Sequence, residues 1–225
     1  CNGVLPTKWV VAYDMLATVV NPQNTWATQL NYTQLYKIFT DDDPADYWDE
    51  VPGLEETAPH ELIEIYAPDE ASGTYDYFFE EIIPRWGKDD QAANTRLETT
   101  ETNPLVIYNP SADDNVILNA VNDRMYAIGY FGFAYYAENS NDVAVVSIAD
   151  QDDNYEEPSF SNVANYPMAR PLHIYTNGVP EEGHVINDYL RYIIGEEGQA
   201  IVPDVGYVRL SLVNENLITG QLAKL

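Results

Sequence analysis

Cysteine is the scarcest chemistry in this 225-residue chain. Cys1 is the only one, so no disulfide can form within it. Basic residues come next: 10 Lys+Arg stand against 37 Asp+Glu, a formal net charge of -27. Such a surface repels nucleic acid and anionic membranes, and neither is expected as a partner. The three histidines, His60, His173 and His184, are far apart. They lack the short spacings by which one element offers a metal two ligands, so they are expected to share no metal. No apolar run approaches the roughly 18 residues needed to cross a bilayer.

Apolar residues are not scarce. Hydrophobic residues make up 45% and aromatics 12%, which separates the chain from disordered acidic tails. Its length suffices for one large domain or two small ones with a proper core. A folded protein this acidic and this poor in lysine suits concentrated salt, where repulsion is screened within a few ångströms.

The most informative stretch runs from Leu62 to Pro84. Leu62–Tyr66 alternates apolar and polar side chains as a strand does, and Tyr75–Ile83 carries aromatic and branched residues at helical spacing. Between them Ser72, Gly73 and Thr74 deliver two hydroxyls and several amides to a helix start. A helix N-terminus has about four unpaired N–H groups and roughly half a unit of positive charge, so the turn suits an anion. A plainer reading stands beside it. Ser72 caps the helix, and Asp76 in the first turn complements the dipole.

The remaining chain alternates strands and helices, the pattern of an α/β protein. Trp9–Val20 reads as one or two buried strands. A helix through Phe39 follows, capped by Asn31 or Thr33, and Asn31-Tyr32-Thr33 is also a glycosylation sequon. Asp41–Pro59 reads as an acidic surface loop without calcium-loop spacing. Arg85–Pro110 reads as a long excursion, Val116–Asn122 as a helix, and Ala127–Tyr136 as a strand running into a short helix. Val143–Ile148 reads as one buried strand, Asp150–Ser161 as an acidic loop and Ala169–Tyr175 as a strand. Helices are expected over Pro180–Ile194 and Glu196–Val202, an extended piece over Val205–Leu210 and a terminal helix over Ser211–Leu225.

Several segments together resemble a known family. They are VAYDMLATVVNP, YTQLYKIF with the later YWDEV, APDEASGTYDYFFEEI, SADDNVILNAVNDRMYAIGYFGFAYYAEN, YPMARPLHIYTN and YLRYIIGEEGQAIVPDVGYVRL. In this order they resemble the phosphate-binding proteins that serve phosphate ABC importers, the PstS-like and DING-like group. The resemblance implies an α/β, two-lobe periplasmic-binding-protein-like (type II) fold with two crossing strands and an incomplete first lobe. Residues 1–21 would be a crossing strand and remnant of lobe I, 22–166 a complete lobe II, and 167–225 a returning strand with the C-terminal helices of lobe I.

It further implies binding of inorganic phosphate by Ser72, Gly73, Thr74 and Asp76, with no cofactor and no catalytic residue. Partners would be ABC importer membrane subunits, and the place periplasmic or extracellular. Cys1 then has two readings, a lipidated first residue or an internal cysteine of a longer chain.

Two departures stand out. The family's opening stretch of lobe I, with a second phosphate loop and a proton-accepting aspartate, has no counterpart here. The arginine that many members place four residues before the serine is Pro68. A chain or upstream segment completing lobe I is therefore expected, and the isolated chain should bind phosphate feebly. The other classes are an extracellular structural or interaction module, and an enzyme such as a phosphatase. No nucleophile–base pair supports the enzyme.

Overall fold

The structure, a computed structural model, describes residues 3–40, 43–85, 95–99, 105, 107–150 and 154–225. Cys1, Asp41 and Asp42, most of the expected excursion and part of the 150–161 loop lie outside the described residues. The chain divides into two compact units, residues 16–158 and residues 1–15 with 159–225. One 15-residue strand, β1 (Pro6–Val20), runs from the second of these into the first. The sequence left one or two strands open; the structure has one.

In the 16–158 unit, β2 (Gln29–Asn31) leads into α1 (Tyr32–Phe39). Asn31 is the cap: its Oδ1 accepts from the Gln34 N–H at 3.0 Å while the Asn31 N–H donates to Gln34 Oε1 at 2.8 Å. Then come β3 (Glu64–Ala67), α2 (Gly73–Arg85), α3 (Arg96–Thr99), β4 (Ile107–Pro110) and α4 (Asp114–Asp123). β5 (Ala127–Gly132), α5 (Phe133–Glu138), β6 (Ala144–Val145) and β7 (Ser147–Ala149) complete the unit.

Its main sheet has the order β4-β3-β5-β1-β6. β3 pairs parallel with β4 and with β5, and β1 pairs antiparallel with β5 and β6. Parallel neighbours cannot be joined by a tight turn, so α2 and α4 carry the crossovers. From β3 the chain goes to β4 on one side and then to β5 on the other. That reversal makes the carboxyl end of β3 the place where an open α/β sheet leaves a crevice. Leu16, Ala17, Val19 and Val20 of β1 are fully buried, as so apolar a run requires, and Thr18 is buried among them.

In this unit three sequence-based expectations need correction, and one strand was not expected. The strand before the anion turn begins two residues later than Leu62 and reaches Ala67. The excursion contains α3 and β4, and β4 is an edge strand of only four residues, too short to show a period. Val143–Ile148 is two strands. Val146 separates β6 on the main sheet from β7, which pairs parallel with β2. β2, at three residues, left no pattern to read.

The other unit pairs Pro6–Met15 of β1 antiparallel with β8 (Ala169–Asn177), with a register shift between Val10 and Ala12. Helices α6 (Val185–Ile194), α7 (Glu196–Ile201), α8 (Leu210–Val213) and α9 (Glu215–Leu222) follow. α6 starts later than Pro180 because His184 caps it, Nδ1 accepting from the Ile186 N–H at 3.2 Å. The expected terminal helix is broken at Asn214, whose side chain caps α9. The expected extended piece is helical through Val205 and bonds to β1 only at Val208.

No strand lies on the far side of β1 from β8 among the described residues; two glutamines do that work. Gln221 Oε1 accepts from the Val10 N–H at 2.6 Å and its Nε2 donates to the Val10 carbonyl at 2.9 Å. Gln199 Nε2 donates to the Val11 carbonyl and its Oε1 accepts from the Leu210 N–H, both at 2.8 Å. An unpaired buried backbone group costs about 1–3 kcal/mol, so these side chains stand in for a missing ladder. Beneath them the core is Trp9, Leu190, Ile194 and Leu210.

Two predictions follow from the packing. A Cβ at Gly129, in β5, would meet the Tyr66 carbonyl oxygen at 2.3 Å and Ile117 at 3.0 Å. Backbone cannot yield cheaply there, so Gly129→Ala should destabilise by about 2–3 kcal/mol in denaturant titration. An unchanged midpoint would show that β3 and β5 are not so closely apposed.

His173, in β8, has its pKa held below the usual histidine range by burial and then by the Lys8 charge. Its buried Nε2 has no partner among the described residues. The unfolded chain takes up this proton at about pH 6.5 and the folded chain only at lower pH. The stability contributed by neutral His173 is thus full above that pH and drains as pH falls through the window. His173→Gln should flatten that part of the thermal-midpoint profile between pH 7 and 5; a profile parallel to the parent's would refute it.

Candidate functional site

The turn from Pro68 to Ser72 leaves the carboxyl end of β3 and enters α2. Pro68 is buried and its carbonyl accepts from the Tyr108 hydroxyl at 3.0 Å. The Ser111 N–H donates to the Ala67 carbonyl at 3.0 Å, tying the end of β3 to the start of the β4–α4 connection. Asp69 closes the turn on itself. Its carbonyl accepts from Ser72 N–H at 3.0 Å and its carboxylate from Ala71 N–H at 3.1 Å. Position 68, neutral and buried, therefore anchors the turn and gives it no charge.

Ser72 does cap α2: its Oγ accepts from the Thr74 N–H at 3.2 Å, and its carbonyl receives the first helical bond from Asp76 at 3.3 Å. Cap and anion turn are one geometry here. The Ser72 hydroxyl keeps its own proton to donate, because it accepts with its oxygen. The Thr74 amide is engaged, whereas the N–H groups of Gly73 and Tyr75 make no hydrogen bond among the described residues. Ser72 and Thr74 are half-buried, Gly73 and Asp76 exposed. A Cβ built on Gly73 meets nothing within 4 Å, so the space before its amide is open.

What holds α2 in place is aromatic. Tyr75, Phe78, Phe79 and Ile82 repeat at helical spacing and are buried. Phe78 stacks on Tyr130 of β5 at 3.9 Å with planes 7° apart, and Phe39 of α1 meets both edge-on. Tyr75, in the first turn, shares a 2.7 Å hydrogen bond with Thr95, and burial pushes its phenol up to about 12. Burial raises the phenols of Tyr108 and Tyr130 still further, so all three stay neutral at physiological pH.

Sequence reading missed Arg96. It is 1% exposed, and its guanidinium donates to Asp46 Oδ1 at 2.8 Å and to the Ala45 carbonyl at 2.6 Å. The adjacent Thr95 thereby meets Tyr75 at a fixed point. No periodicity surrounds this arginine; its only signal was scarcity, one of 10 basic residues in so acidic a chain.

α4 begins at the same end of the parallel strands but fills its own N-terminus. Asp113 caps it, accepting from the Asn115 N–H at 2.9 Å, and Asp114 follows. α2 has a neutral hydroxyl at the equivalent place. Elsewhere, His60 Nδ1 lies 3.0 Å from Asp49 with its ring stacked on Tyr47, His173 lies in β8 and His184 caps α6. The described residues contain no group of three His, Cys, Asp or Glu placed to hold a metal. No helix among them is long and apolar enough to cross a membrane.

The chain is similar to several known proteins. The family model of the PBP superfamily domain matches residues 5–197. The phosphate-binding protein PstS of Staphylococcus saprophyticus is 28% identical over 212 residues, which are 93% of this chain and 59% of that protein. Protein SphX of Synechocystis is 29% identical over 218 residues, 93% of this chain and 58% of that one. The chain thus spans about three-fifths of the length of these relatives. Among solved structures, a possible phosphate-binding protein from Planctomyces limnophilus is similar at a TM-score of 0.79 and 29% identity, covering 99% of this chain and 72% of that one. An ABC-type phosphate transport receptor from Vibrio cholerae, at 19% identity and a TM-score of 0.65, shares the fold. The mixed sheet with helical crossovers and the match across most of its length lead to one conclusion: this chain belongs to the PBP superfamily.

Proposed function

We propose that the chain binds inorganic phosphate at the start of α2, outside the cytoplasm, for delivery to the membrane subunits of an ABC importer. The observation that carries this reading is the Ser72-Gly73-Thr74 turn. It joins open N–H groups of Gly73 and Tyr75 to two hydroxyls at the positive end of a 13-residue helix. The relatives named PstS lend their printed function to the same reading. In it, residues 22–166 form the lobe that carries the anion turn. Residues 1–21 and 167–225 belong to a lobe that further polypeptide completes. The acidic surface suits a salty exterior.

Ser72 and Thr74 donate through their hydroxyls and Gly73 through its amide. Each charge-assisted bond contributes about 1.5–3 kcal/mol. Asp76 takes the role of acceptor for the proton that phosphate retains and sulfate lacks. The net charge of -27 does not forbid an anion here. Distant surface charges are screened beyond about 8–10 Å, while the helix end and its hydroxyls act at contact. The reaction is binding and release, with no bond made or broken.

Titration calorimetry on the 225-residue chain tests the site. Phosphate should bind more weakly than micromolar, because only one side of the site is supplied. Ser72→Ala and Thr74→Ala should each weaken binding by about tenfold or more, since 1.4 kcal/mol is a factor of ten. Asp76→Asn should narrow the preference over sulfate. Affinity unaltered in both hydroxyl variants would place the ligand elsewhere. Micromolar binding by a monodisperse monomer would show that the chain holds the whole site.

A further inference from the structure

The residues of the anion turn include no cation. No Lys or Arg occurs between Lys37 and Arg85, the stretch that holds β3, the turn and most of α2. Within residues 16–158 the basic side chains that the structure describes are committed elsewhere. Lys37 pairs with Asp43, buried Arg96 with Asp46 at 2.8 Å, and Arg124 with Glu64 at 3.5 Å. Glu64 begins β3, so the last pair lies at the strand end opposite the turn. Arg85 closes α2, about 18 Å from Gly73 along the helix axis.

Carboxylates surround the turn instead. Asp69 and Glu70 belong to it, and Asp76 stands in the first turn of α2. Burial raises the Tyr75 phenol first, and the charges of Glu98 in α3, Glu70 and Asp76 raise it further, so all three acids stand near the helix start. Burial likewise leads for Tyr108, with Asp69 a smaller contributor. Asp113 and Asp114 open α4 at the same end of the parallel strands. The donors offered to a ligand are the hydroxyls of Ser72 and Thr74 and the N–H groups of Gly73 and Tyr75, all neutral. The helix end adds about half a positive charge, so a second negative charge on the ligand would meet mainly the repulsion of these acids.

A phosphate group passes from one negative charge to two near neutral pH. We propose that the turn takes inorganic phosphate as the singly charged dihydrogen ion rather than the doubly charged one. The proposal rests on the phosphate-binding reading above and adds the ionic form that is recognised. Above neutral pH the doubly charged ion prevails in solution. Each ion bound there takes one proton from solvent onto a phosphate oxygen, and no other bond forms or breaks. No histidine occurs in β3, the turn, α2, α3 or α4, so the group that titrates at the site between about pH 6.5 and 8.5 is the ligand.

Titration calorimetry of the 225-residue chain with inorganic phosphate, in two buffers of different ionisation enthalpy, counts that proton. Each phosphate should take up about one proton at about pH 8.5 and almost none at about pH 6.5. Apparent affinity should fall about tenfold from the lower pH to the higher. The phosphorus resonance of bound phosphate at the higher pH should lie at the position of the dihydrogen ion, which puts the proton on the ligand and not on a carboxylate. Glu70→Lys, which sets a cation on the exposed turn, should hold affinity within about threefold across the same range. Lys88 lies outside the described residues, and Lys88→Ala should leave affinity and proton uptake as in the parent. Weaker binding in Lys88→Ala would reveal a cation in the site and overturn the proposal. So would binding without proton uptake, a bound resonance of the doubly charged ion, or a Glu70→Lys chain that keeps the parent's fall in affinity. Those outcomes leave the phosphate-binding reading standing, whereas no binding at either pH removes both.

Discussion

The stack of Phe78 on Tyr130 is the contact on which the candidate site depends. It fixes the rotation of α2 over β5, and with it the direction in which the helix N-terminus points. A helix end is a weak anion site unless it is held still, because its amides act only at contact distance. Here the hold is redundant. Phe39 closes the aromatic cluster from α1, Tyr75 bonds to Thr95, and the buried Arg96–Asp46 pair fixes the segment that presents Thr95. Every component is neutral or paired, so none competes for the ligand.

The electrostatics of the turn are a matter of distance. Asp69, Glu70 and Asp76 are all nearby in sequence, yet the Asp69 carboxylate is turned onto the Ala71 amide. α4, which starts at the same end of the sheet, receives the negative charge of Asp113 and Asp114 at its cap. α2 receives a hydroxyl. That single difference in cap chemistry leaves one helix end self-neutralised and the other open to an incoming anion.

The two units solve backbone satisfaction differently. Residues 16–158 use a conventional ladder of five strands with helical crossovers. Residues 1–15 and 159–225 rely on Gln199 and Gln221 for the edge of β1 and on a small core around Trp9. Trp9 itself spans both kinds of support, its ring buried and its Nε1 donating to Thr176 at 2.8 Å.

Long, strongly patterned elements were legible in the sequence. The apolar run of β1, the aromatic repeat of α2, a cap at Asn31 or Thr33 and the helix over Val116–Asn122 each rest on interactions within a few residues. The turn at Ser72 was legible for the same reason, and its cap is visible in the structure as the sequence described it. β2 and β4 were not, because each exists where a neighbouring strand offers a ladder, and neither was the break at Val146 that parts β6 from β7. Arg96 was invisible because a buried ion pair is defined by its partner, 50 residues away. The sequence by itself determined that β1 would be buried and that α1 and α2 would start near Asn31 and Ser72, through patterns a few residues long. Tertiary structure alone decided that the Thr74 amide is spent on Ser72 and that two glutamines replace a strand. Those outcomes depend on which groups meet across long sequence separations, and no local pattern encodes that.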